Sequence, residues 1–205
     1  ALARKTGSPG LVNASLANLA GCHVRLGEYG HALELLEEVL REGPADEVVV
    51  RINLSAAYAG LGRHRQALES ADQAVGLARR EERGEFLIDA LTGRSDANQK
   101  RGLTAEALAD TREALGVIEQ LRGRLVPSDF MKRGFAERCR ELFASAIKLL
   151  HQAGEHRQAF EIAEQARARA FLDLLATREM QARPADRLQL AALREAEKEL
   201  KAKGI

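Results

Sequence analysis

The chain has 205 residues, 45% of them hydrophobic, which is enough to bury a core in one or two domains. Its 31 Lys and Arg nearly cancel 30 Asp and Glu, and a net charge of +1 supplies no global field to hold nucleic acid or an anionic membrane. No apolar run approaches the ~18 residues of a spanning helix, and nothing at the N-terminus reads as a signal peptide.

Ala, Leu, Arg, Glu and Gln dominate, β-branched residues are sparse, and no window shows the strict alternation of a strand. The four prolines, Pro9, Pro44, Pro127 and Pro184, each stand where a helix can start or a loop can run. The chain is expected to be all-α. Cys22 and Cys139 lie far apart in helical patterns, which suits neither a disulfide framework nor a zinc site, and both read as small core hydrophobes in a reducing cytoplasm.

In chain order, Ser8-Pro9 opens a helix over about 9–26, and a second runs over about 29–42 to Gly43-Pro44. Helices over about 45–60 and 64–82 follow, then about 84–101 and 104–123. Pro127-Ser128-Asp129 opens a long helix over about 129–153, and the next runs from about 156 to 180. After Pro184 a charged helix closes the chain, with Glu197–Lys201 and Glu199–Lys203 in the favourable i,i+4 order. Residues 1–5 look like the end of an earlier helix, as though the chain were cut from something longer.

These segments repeat. Gly27, Gly62, Gly102 and Gly154 each end one helix, and five residues later comes an alanine: Ala32, Ala67, Ala107 and Ala159. Four residues further on stand Leu36, Ala71, Thr111 and Ala163, and three beyond those Val39, Ala74, Ala114 and Ala166. The glycine supplies the left-handed residue that stops a helix, and the small residues let the next backbone approach closely. Arg94 and Ser95 stand in the third unit where an apolar, small pair is usual. The register resembles the tetratricopeptide repeat, with units near 13–46, 48–81, 88–121 and 140–173 inside an array over 1–183, followed by a helix or linker over 184–205. That resemblance implies a right-handed α-α superhelix, a solenoid of about four helix-turn-helix repeats with flanking helices.

No catalytic constellation and no phosphate loop is present, and the five histidines match no metal-binding motif. His64 and His156 recur two residues after a turn glycine, which reads as structural. The basic clusters Arg79-Arg80, Arg122/Arg124 and Lys132/Arg133 read as solvated helix ends. No cofactor, metal, nucleic acid or membrane is expected. The concave surface lined by the first helix of each repeat is where a solenoid binds its partners. Its sixth positions are Asn18, Asn53, Gly93 and Ser145; an asparagine amide can both donate to and accept from an extended peptide. The ninth and thirteenth positions add Gly21, Ala56, Asp96 and Lys148, then Arg25, Gly60, Lys100 and Gln152. The candidate peptide contacts are therefore Asn18, Arg25, Asn53, Asp96, Lys100 and Lys148. Ala17 and Gly21 replace the first two residues of the clamp with which chaperone-binding members hold a terminal carboxylate, so that ligand is not expected.

Ala163-Glu164-Gln165-Ala166-Arg167-Ala168-Arg169-Ala170-Phe171-Leu172-Asp173-Leu174-Leu175 departs from a plain repeat. It resembles the segment that closes the helical array of bacterial proteins carrying a CHAT domain, a caspase-like peptidase fold. The resemblance implies a peptidase C-terminal to the helices, with a His/Cys pair that this chain lacks. Two functions follow: a non-catalytic scaffold for a peptide or partner domain, or a regulatory arm for the chain's own C-terminal peptidase.

Overall fold

A computed structural model describes residues 9–43, 46–122 and 133–181. Pro44, Pro127, Pro184, the closing charged helix and residues 1–5 lie outside the described residues. Among those described, eight α-helices and no strand are present: α1 (Pro9–Leu26), α2 (Tyr29–Glu42), α3 (Glu47–Gly60), α4 (His64–Arg80), α5 (Gly84–Lys100), α6 (Thr104–Arg122), α7 (Arg133–Gln152) and α8 (His156–Gln181). They pair as α1/α2, α3/α4, α5/α6 and α7/α8, an all-α, tetratricopeptide-like superhelix in which α1, α3 and α5 touch in succession.

One turn geometry recurs. The amide after the turn residue donates to the carbonyl five residues back: Glu28 to His23 at 2.9 Å, Arg63 to Tyr58 at 2.8 Å, Leu103 to Asn98 at 3.0 Å and Glu155 to Leu150 at 2.9 Å. This bond needs a left-handed residue just before the donor. Gly27, Gly62, Gly102 and Gly154 occupy that place with φ between 73° and 79°. A fifth copy joins α4 to α5, where Arg83 donates to Ala78 at 2.9 Å and Glu82 takes φ 54°. The helix expected over 64–82 therefore stops at Arg80, because Glu81 and Glu82 are drawn into this turn. The break before Gly84 was expected, but with glutamate rather than glycine at the left-handed position the turn lacks the mark that the other four carry.

The alanine register explains how the pairs close. Ala32, Leu36 and Val39 on α2, Ala67, Ala71 and Ala74 on α4, and Ala107, Thr111 and Ala114 on α6 are all at most 1% exposed. Each such helix is covered on one side by its own partner and on the other by the first helix of the next pair. On α8 Ala159 is buried, but Ala163 and Ala166 are only half-buried, unlike their counterparts. No described helix follows α8 to cover them. Leu19 is exposed on α1, and Cys22 is exposed with the Arg25 guanidinium 3.1 Å from its sulfur, so Cys22 is not the core thiol the pattern suggested.

Arg94 and Ser95, out of place in the repeat pattern, build a polar seam between α5 and α6. Arg94 donates Nε (3.0 Å) and Nη2 (2.6 Å) to buried Asp110, and its Nη1 reaches Asp72 on α4 at 3.1 Å. Asn98 donates to the other Asp110 oxygen at 3.2 Å. Ser95 donates to the Ala107 carbonyl at 2.8 Å and lies 2.9 Å from the Thr111 hydroxyl. These hydrogen bonds let polar side chains occupy a buried seam without loss. A second tie joins successive turns. Asp46 caps α3 by accepting from the Val49 amide, and Arg83 grips both its oxygens at 2.7 Å while stacking over the Phe86 ring. The hydrogen bonds from Arg83 hold the Asp46 carboxyl below its ordinary pKa.

Two stability measurements check this reading. Asp110→Ala strands the Arg94 charge and is expected to cost about 3 kcal/mol or more in urea unfolding, whereas Asp72→Ala at the exposed end of the same pair costs under about 1 kcal/mol. Equal losses would mean the seam is not a buried network. Glu82→Gly is expected to raise stability by about 0.5–1 kcal/mol, since glycine meets the positive φ without a Cβ clash. A lower denaturation midpoint for that variant would contradict the turn geometry.

Candidate functional site

The sixth, ninth and thirteenth positions of the repeats have different fates along the array. In the first half Gly21, Asn53 and Gly60 are taken up by contacts between helices, while Asn18 and Arg25 stay exposed. The Asn53 amide donates to the Ala17 carbonyl of α1 at 3.3 Å and rests against Gly21, where a Cβ would sit 3.3 Å from Asn53 Nδ2. The Tyr29 ring covers Gly60 so closely that any Cβ there would overlap it. Asn53 thus spends a donor on the neighbouring helix, Arg25 turns to Cys22, and Asn18 is exposed on α1.

Further along, the same positions open into a cleft of about 320 Å3 between α5 and α7. Asp89, Thr92 and Asp96 line it from α5, three and four residues apart on one helical face; Arg138, Glu141 and Ser145 line it from α7 with the same spacing. Arg138 spans the floor, its Nη1 lying 2.9 and 3.0 Å from the two Asp89 oxygens. Lys148 crosses from α7 to the Gln99 amide oxygen of α5 at 3.0 Å. Of the six residues predicted from sequence, Asp96 lines the cleft and feels the charges of Lys100 and Lys148; Asn18, Arg25 and Asn53 are not among its lining residues.

The surrounding protein displaces water from both carboxyls of the α5 face. This raises the Asp89 pKa, with the Arg138 charge pulling the other way. It raises that of Asp96 as well, against the opposing pull of Lys100 and Lys148. Carboxyls deprived of water favour incoming donors, and the two lysines offer donors of their own to a carboxylate or carbonyl. The cleft is suited to recognition of mixed polar groups. Among the described residues, no group of three or more His, Cys, Asp or Glu side chains converges, and no helix is long and apolar enough to cross a membrane.

Sequence reasoning missed Asp89, Arg138 and Glu141. Asp89 and Arg138 stand seven residues, two helical turns, before Asp96 and Ser145, outside the positions that a repeat alignment inspects, and only that spacing pointed to them. A larger hollow of about 540 Å3 lies on the opposite, second-helix side, between α6 and α8 over Phe143 of α7, with Leu115, Ile162 and Leu172 in its apolar wall and the Arg169–Glu119 ion pair at its rim.

The raised Asp96 pKa fixes the sign of a pH effect. The folded chain holds this proton more tightly than the unfolded chain, so stability falls as pH rises past the ordinary value of 3.8 and the loss is complete above the raised folded value. Asp96→Asn is expected to raise the midpoint of thermal unfolding at pH 7, with the advantage vanishing as pH falls below the ordinary carboxyl value of 3.8. A pH-independent difference would show that solvation of the carboxyl is not the cause.

No protein-family model matches the chain, and comparison with curated proteins gives no match. Several solved structures are similar to it. A kinesin-light-chain-like protein of nearly identical TPR-like repeats from Podosopora anserina is 19% identical with a TM-score of 0.47, covering 79% of this chain and 96% of its own. BtubC (BKLC) from P. vanneervenii is 18% identical with a TM-score of 0.49, covering 83% and 87%. MamA AMB-1 is 16% identical with a TM-score of 0.29, covering 77% and 91%.

Proposed function

We propose that the chain is a non-catalytic protein-interaction scaffold that binds an extended segment of a partner protein along the surface of α1, α3, α5 and α7, with the α5–α7 cleft as the main contact. The observation that carries this reading is Asp96 in the cleft beside the Asp89–Arg138 pair, with the Lys100 and Lys148 charges acting on it. An extended peptide presents backbone donors and acceptors at every residue, and a cleft with both carboxylates and ammonium groups can meet them in either direction. Asn18 and Asn53 would extend the contact toward α1, Asn53 through its carbonyl oxygen, and Arg25 lies at that far end. A cytoplasmic setting belongs to the same reading.

A second reading, a regulatory arm for a caspase-like peptidase joined C-terminally, draws on α8. Phe160 and Phe171 are 67% and 60% exposed on that helix, and Ala163 and Ala166 lack the cover their counterparts have. A neighbouring domain docked there would bury them. The parent reading frame separates the two: a following α/β segment with a His and a Cys in caspase-like order supports the arm, and a stop codon directly after Ile205 removes it.

For the scaffold, a displayed peptide library panned against the chain is expected to yield binders that lose about tenfold in affinity, or 1.4 kcal/mol, on either Asp96→Lys or Lys148→Glu. Binders unaffected by both changes would place the contact elsewhere.

A further inference from the structure

The turn between α7 and α8 brings together two histidines that the sequence keeps five residues apart. His151 in the last turn of α7 and His156, the first residue of α8, place their Nδ1 atoms 3.2 Å from each other, with the ring centroids 4.9 Å apart and the planes tilted by 50°. Both are exposed. Two imidazole nitrogens bound to one tetrahedral ion at about 2.05 Å stand roughly 3.3 Å apart, which is the separation found here. Gly154 at φ 78° and the Glu155-to-Leu150 bond fix the turn that sets it.

Glu155, next to His156 in the chain, is turned to Arg112 rather than to either ring: the Arg112 Nη2 lies 3.2 Å from its Oε2 and 2.5 Å from the Gln158 amide oxygen. The corresponding turn of the first repeat provides the contrast. There His23 Nδ1 lies 2.5 Å from Glu28 Oε2, an arrangement that occupies the ring nitrogen with a carboxylate. At the α7–α8 turn the two ring nitrogens face each other instead.

We infer that His151 and His156 form a two-histidine binding site for a late divalent transition metal of the Zn2+, Ni2+ and Cu2+ class, with water completing the coordination. Imidazole pairs suit these ions, with Cu2+ the tightest of the series. The ion would link the end of α7 to the start of α8, one turn beyond Lys148 at the end of the cleft. Because only the folded turn presents both nitrogens together, binding adds to the stability of the last repeat.

Zn2+ alone is the probe, titrated into the full chain by calorimetry and followed in parallel by thermal unfolding. One equivalent is expected to bind at least tenfold more tightly than to His151→Ala or to His156→Ala, and to raise Tm in the wild type but in neither variant. Both side chains are exposed, so circular dichroism is expected to show the variants folded. His23→Ala serves as the control and keeps the tight equivalent. Wild-type affinity no greater than that of the single variants would overturn the site, reducing it to adsorption on separate imidazoles. A Tm shift that survives in both variants, or one lost in His23→Ala, would overturn it equally.

Discussion

The structure depends on one backbone hydrogen bond repeated five times: an amide reaching back five residues across a left-handed turn. It reverses the chain within two or three residues at five of the connections between described helices, and the next contact is then decided by side-chain size. Where the first positions past the turn are alanine, the backbones close to a distance larger residues would forbid. Ala32, Ala67 and Ala107 are each 0% exposed for that reason. At Glu82 the chain accepts an unfavourable backbone conformation to keep the same bond, which shows that the geometry of the turn takes precedence over the local preference of the residue.

Packing of this kind makes the two halves of the array unlike. In the first half, small residues and Asn53 draw α1 and α3 together, and the surface they form is largely closed by their own contacts. In the second half, Arg94 and Asp110 hold α5 to α6 through charge and hydrogen bonds, which occupy the seam between them and leave the opposite face of α5 free to meet α7. Asp89–Arg138 and Lys148–Gln99 then span the remaining space as polar bridges around a cleft. The third repeat looked degenerate as a sequence because it exchanged apolar filling for a buried ionic network, and the site lies against that repeat.

The open side of α8 follows from the same rule. A second helix in this architecture needs a cover from the next pair, and its register residues are only fully buried when that cover is present. Ala163 and Ala166 carry the right residue type, yet their burial is incomplete. Residue type records what a position is built to face, while exposure records what faces it among the described residues.

The sequence by itself determined the eight described helices and the breaks between them, four of them marked by a turn glycine. These depend on local chemistry: glycine at a positive φ, helix-forming composition and small residues at fixed spacing. It also singled out Asp96, Lys100 and Lys148, since a regular repeat assigns equivalent positions to one face. Only the tertiary structure decided which of those positions stay open. Asn53 is spent on the Ala17 carbonyl, whereas Asp89 and Arg138, which no repeat position flags, meet across two helices 49 residues apart in the chain. The Arg94–Asp110 seam and the approach of His151 to His156 were hidden for the same reason. Each is set by the distance between two backbones after packing, and no single segment of sequence carries that distance.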